Sequence, residues 1–172
     1  MNRSELQPNE IGDYYWRYIN LLPEKADLID TLISNTHDFV GFLNELPKDK
    51  WHYSYEDGKW NILEILQHII DTERVFQYRA LSFARGEEKP LPGFDHDRFA
   101  EMSDAGRRLP KDLISEFQAN RDSAIYLFKS FNQEMLKRTG NMNGVPASPR
   151  AIGFIMAGHV LHHIDLITKK YL

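Results

Sequence analysis

The stretch SPRAIGFIMAGHVLHHIDLITKK, Ser148 to Lys170, decides how the rest of the chain is read. It opens with the two residue types that start helices. Ser148 can accept a hydrogen bond from a free first-turn amide, and Pro149 presets φ where no amide is needed. It closes with Lys169 and Lys170, whose charges suit the negative end of a helix dipole. Between them the apolar residues recur at helical spacing. At about 100° per residue with His159 at zero, Ile152 falls near 20°, Ile155 near −40°, Met156 near 60°, Leu166 near −20° and Ile167 near 80°. On the same scale His163 falls at about 40°, so both imidazoles sit in the middle of the apolar stripe. Such a helix must be covered by partners with equally apolar faces.

Three other segments supply those faces. A first helix is expected from Pro23 to Leu46, with Leu28, Leu32, Phe39 and Leu43 in its stripe and Pro47 as its stop. A second is expected from Trp60 to Arg85, with Asn61 as cap and Gly86 just beyond the end. A third starts near Pro110, carries Leu113, Phe117, Ala124 and Phe128, and is expected to run on to Gly140. No segment of similar length alternates with period two, so the expectation is an all-α protein, a four-helix bundle forming one domain over residues 1–172. The second connection, about 24 residues, exceeds what a simple reversal needs and can cross the length of the bundle. The cluster Tyr14, Tyr15, Trp16 and Tyr18 reads as an aromatic flap on the bundle, and about nine residues before it read as disordered.

Composition excludes several functions. With 21 basic and 25 acidic side chains, the 172-residue chain has a formal charge of −4, and 42% hydrophobic with 27% charged residues is ordinary for a globular domain. There is no basic cluster to neutralise phosphates, so nucleic acid is not an expected partner. There is no cysteine, hence no disulfide, thiolate nucleophile or Cys-bound zinc, and any metal must be held by His, Asp or Glu. The polar start, Met1 to Glu10, lacks an apolar signal core. The longest apolar run, Ala151 to Gly158, falls short of the roughly 20 residues that cross a bilayer. A cytoplasmic protein that does not enter membranes is the expectation.

Buried imidazoles are costly unless their nitrogens have partners, and a metal ion satisfies two at once. A third ligand should come from a facing helix, where His68 lies at the edge of the core among Glu64, Asp71, Thr72 and Arg79. His68, His159 and His163 would then form a three-histidine site with one position left for water or substrate, as in catalytic zinc centres. Hydrogen-bonded core histidines are the alternative. Glu64 and Asp71, one turn either side of His68, are candidate proton acceptors or partners of a ligand imidazole, or plain surface carboxylates. Arg79 could hold an anionic substrate group, whereas Arg74 and Arg85 are expected to pair outward. His162 is expected to flank the site. Of the rest, only His96, in a carboxylate-rich loop, is expected near it, and His162 or Asp95 could close the coordination. Val160 stands where a zincin would carry glutamate, so HExxH chemistry is excluded. Gly153 and Gly158 lie off the ligand face and suit close packing against a helix or a second subunit.

Together, GKWNILEILQHIIDTERVFQYRALSFARG (58–86), LPGFDHDRF (91–99) and SPRAIGFIMAGHVLHHI (148–164) resemble the DinB/YfiT-like superfamily of metal-dependent enzymes, from about Trp51 to the C-terminus. The resemblance implies a bundle in up-down-down-up order and a metal triad at His68, His159 and His163. It also implies nickel or zinc, and a homodimer; imidazoles alone would equally accept iron, copper or cobalt. Relatives include S-transferases and isomerases that use low-molecular-weight thiols, and others described by analogy as hydrolases. The expected function is therefore a metal-dependent enzyme on a small molecule, of thiol S-transferase or hydrolase type. The alternative is a metal-binding or stress-response bundle without turnover.

Overall fold

Caps set where the long helices begin. The computed structural model describes residues 1–172. A short helix α1, Trp16–Ile19, precedes α2, Leu28–Asn44. The Asp27 carboxylate accepts from the amides of Ile29 and Asp30, so α2 starts five residues later than the expected Pro23. The helix α3, Ile62–Ala84, opens with a capping box in which Asn61 accepts from the Glu64 amide and Glu64 accepts from the Asn61 amide.

The long connection that follows contains α4, His96–Met102, and then α5 runs over Pro110–Lys129. The expected continuation to Gly140 does not occur. Asn132 accepts from the Met135 amide and caps a separate helix α6, Gln133–Lys137. A hairpin then follows, β1 Gly140–Met142 and β2 Val145–Ala147, turning at Asn143 and Gly144, both in the left-handed region. The protein is thus a mostly helical four-helix bundle with a two-stranded hairpin rather than purely α. The last helix, α7, Pro149–Lys170, starts as expected, with Ser148 accepting from the Ala151 amide.

The bundle is built of α2, α3, α5 and α7, with α2 and α3 each packed on both α5 and α7. Across α3 and α5, Arg74 donates to Glu116 and Gln77 to Asn120, and Arg108, just before α5, donates to Gln67. Across α2 and α5, Arg121 donates to Asn35 and Phe39 meets Phe117 edge-on. Every residue of α7 from Pro149 to Val160 is buried. This helix is long and apolar enough to cross a bilayer by length and composition alone, yet 67% of that stretch lies inside the bundle, as in a core helix. A Cβ at Gly153 would run into Leu28, and one at Gly158 into the Tyr18 carbonyl oxygen. Both glycines therefore serve close packing, and Gly158 lets the aromatic segment lie across α7.

The N-terminal residues are ordered, contrary to expectation. Two 3-10 turns, Arg3–Glu5 and Pro8–Glu10, are tied down at both ends. The Met1 amino group pairs with Asp27, and the buried Glu10 carboxylate accepts from Ser148 and Arg150. Burial of that carboxyl is outweighed by its bonds to Arg150 and Ser148, which hold it below the usual range.

Candidate metal centre

His68 on α3 faces His159 and His163 on α7, and all three are at least nine-tenths buried. The Nε2 atoms converge: His68 to His159 is 3.2 Å, and His163 to His159 is 3.0 Å. No tautomer satisfies this arrangement, because the single lone pair of His159 Nε2 cannot accept an in-line N–H from both neighbours. The Thr72 hydroxyl lies 3.5 Å from His68 Nδ1, and His163 Nδ1 is buried with no partner.

Burial is the main force on their ionisation. It pushes His68 down to about 4, with His96 and His162 adding repulsion. It pushes His159 and His163 well below the ordinary imidazole value, with repulsion from the other histidines added. All three are neutral at pH 7 and present lone pairs. Nitrogens bound at 2.0–2.1 Å in a tetrahedral centre stand about 3.3 Å apart, close to the spacing found. One divalent cation would satisfy all three lone pairs, so the donor set fits a metal. No carboxylate joins the group, whose ligand atoms lie within 4.8 Å of one another.

The imidazoles form part of the lining of a cavity of about 480 Å³. Trp60 packs on His68 at 4.8 Å between ring centroids, and Tyr18 meets His159 edge-on at 5.4 Å. The loop before α4 forms another wall. It is strapped to the hairpin by Leu91 N–H to the Asn141 carbonyl and Gly93 N–H to the Asn143 side chain, which brings Phe94 and His96 over the cavity. His96 stands 5.7 Å from the His68 ring, in keeping with its expected exception, and His162 flanks the cluster.

The other expected residues separate. Arg79 lines the cavity, 4% exposed. Asp71 does not. It accepts from Gln67 and pairs with Arg74, whose guanidinium also reaches Glu116. Burial raises the Asp71 carboxyl against the opposing bonds from Gln67 and Arg74. The Glu64 carboxylate is used in the capping box, Asp95 caps α4, and Arg85 contacts the Met135 sulfur. Neither Glu64 nor Asp71 is brought to the imidazoles. Tyr18, Trp60 and Asn143 also line the cavity, though no spacing or motif in the sequence marks them as site residues. Only the aromatic cluster around Tyr18 gave a signal, because the other two reach the cavity through loop geometry.

Residues 31–167 match the DinB superfamily. The chain belongs to the DinB superfamily. Among curated proteins none matches the sequence. Among solved structures, the DinB chain is similar to YfiT from Bacillus subtilis, described as a probable metal-dependent hydrolase with an unusual four-helix bundle topology. The two are 16% identical with a TM-score of 0.73, over 95% of this chain and 90% of YfiT. At that identity the likeness shows a shared fold.

Proposed function

We propose that this DinB-superfamily protein is a metal-dependent enzyme for a small molecule, of hydrolase or thiol S-transferase type, with His68, His159 and His163 as metal ligands. The observation that carries this reading is the convergence of three buried, neutral Nε2 atoms on a cavity with no fourth protein ligand. The description of YfiT supports the hydrolase branch. A divalent ion held by three neutral ligands keeps its full charge and lowers the pKa of a water or thiol it binds.

The chain's own side chains do the rest. The Thr72 hydroxyl faces His68 Nδ1 and orients that ring. Trp60 and Tyr18 pack on the imidazoles and hold the His68 and His159 rings in place. His96, over the cavity beside His68, is placed to accept a proton from the nucleophile.

We also read the helices as running up-down-down-up. The pairs Arg74–Glu116 and Gln77–Asn120 rise together along α3 and α5, and Gln67–Arg108, just before α5, continues the trend, which supports a parallel pair. The pairs Asn35–Arg121 and Phe39–Phe117 run oppositely along α2 and α5. Between α3 and α7, His68 meets His159, and Tyr171, just after α7, meets Trp60, just before α3, so these two helices also run oppositely.

Elemental analysis of tag-free protein purified without chelators tests the site. About one nickel, zinc or similar ion per chain is expected, followed by turnover in hydrolase or thiol-transfer screens with that ion. Near-zero content after incubation with each ion overturns the metal site, and a full site without turnover leaves a binding protein.

A further inference from the structure

Arg79 is a buried cation without an anion. Its Nη2 donates to the Pro92 carbonyl at 2.7 Å, and it makes no other hydrogen bond and no ion pair. Every other buried arginine has a carboxylate: Arg121 has Glu73, and Arg150 has Glu10. The donors that this bond leaves free are not sealed in the core but open on the cavity, and the partner they suit is an acceptor with two oxygens in one plane. The guanidinium lies near two rings, 6.0 Å from the Phe76 centroid and 5.9 Å from that of Phe94. Phe76 is one turn toward the N-terminus of α3, so the side chain leans back along the helix toward His68. Arg79 and the three imidazoles line one cavity.

We propose that Arg79 binds the carboxylate of the substrate, a small carboxylic acid whose apolar body packs against Phe76 and Phe94 and whose reacting group points toward His68, His159 and His163. This rests on the metal-enzyme reading for the reacting end only. A single guanidinium and no lysine in the cavity suit one negative charge, which favours a carboxylate over a phosphate. Asn143 lines the same cavity, and its side-chain oxygen already accepts from Gly93, which leaves its amide hydrogens available to the second carboxylate oxygen.

Calorimetric titration tests this, using hexanoate and phenylacetate, their uncharged amides, and inorganic phosphate. Metal-free protein is titrated first, so that carboxylates cannot score by coordinating an ion. Binding of both carboxylates at least tenfold tighter than the amides and phosphate is expected. That ratio should fall at least tenfold in Arg79→Gln, recover partly in Arg79→Lys, and persist in His68→Ala. A residue that merely anchored the loop at Pro92 would change stability and leave the carboxylate-to-amide ratio untouched. An unchanged ratio in folded Arg79→Gln, checked by circular dichroism, overturns the proposal, as does a wild-type protein that binds none of the carboxylates or prefers phosphate. Persistence of the ratio in protein that takes up no metal would defeat the metal reading alone.

Discussion

Two polar clusters are buried in this bundle, and α3 contributes to both. Five residues beyond His68, Glu73 accepts from Arg121 Nε at 3.0 Å and from Arg121 Nη2, while Arg121 Nη1 donates to Asn35 Oδ1 at 3.1 Å. Asn35 in turn donates to the Ala157 carbonyl, and the Arg121 guanidinium stacks over Phe117. That cluster is complete without any ligand. The histidine cluster is of similar depth and is incomplete, with three lone pairs facing one another and a buried nitrogen unpartnered. Burial alone therefore does not mark function; a buried cluster that its own neighbours cannot satisfy does.

The sharpest break of the contrast is in the complete cluster. Glu73→Gln or Arg121→Met leaves one buried group without its partner and should cost about 3–5 kcal/mol in urea unfolding. Glu73→Leu combined with Arg121→Met should recover most of that, since an apolar pair of similar volume avoids the desolvation cost. Stability of the single variants equal to wild type would show that the pair is not buried in solution.

In the histidine cluster the large loss should be in metal affinity instead. His68→Ala, His159→Ala and His163→Ala should each weaken binding by more than about a hundredfold, while His37→Ala leaves it unchanged. Competition with a chromogenic chelator measures this, and equal retention by all four variants would remove the triad.

The third comparison is with acid. An unfolded imidazole titrates near 6.5, and folded His68 only near 4, so between those values the unfolded chain binds more protons than the folded one. Metal-free protein should therefore be fully stabilised above pH 6.5 and lose stability as pH falls from 6.5 toward 4. Denaturation midpoints across that window should fall less steeply in His68→Gln.

The smallest effect belongs to Thr72, which touches the site only through His68 Nδ1 at 3.5 Å. Thr72→Val should lower metal affinity by no more than about tenfold, at the low end of what such indirect partners contribute. A loss as large as that of His68→Ala would mean that Thr72 is itself a ligand.

Much of this was legible in the sequence, because it depends on neighbours along one helix. The caps Asn61 and Ser148 start α3 and α7 where their residue types indicate, and the four-residue spacing of His159 and His163 puts both rings on one face. His68 could be chosen as the third ligand because it sits at the core edge of a facing helix. The N-terminal order was not legible, since Glu10 finds Ser148 and Arg150 nearly the whole chain away. Nor was the break after Lys129, where the Asn132 cap competes with a continuing apolar pattern.

By itself, then, the sequence determined the long helices, their apolar faces and the placing of His159 and His163 on one face, all consequences of local periodicity and capping, whereas the packing of α3 on α7 brings His68 to them. Tertiary structure alone decided which charges are spent and which are free. Asp71 and Glu64 are engaged by Gln67, Arg74 and the start of α3, whereas Arg79 faces the cavity with no acid beside it. The physical reason is that a charge's role depends on the groups that surround it once water is removed, and those groups come from distant parts of the chain.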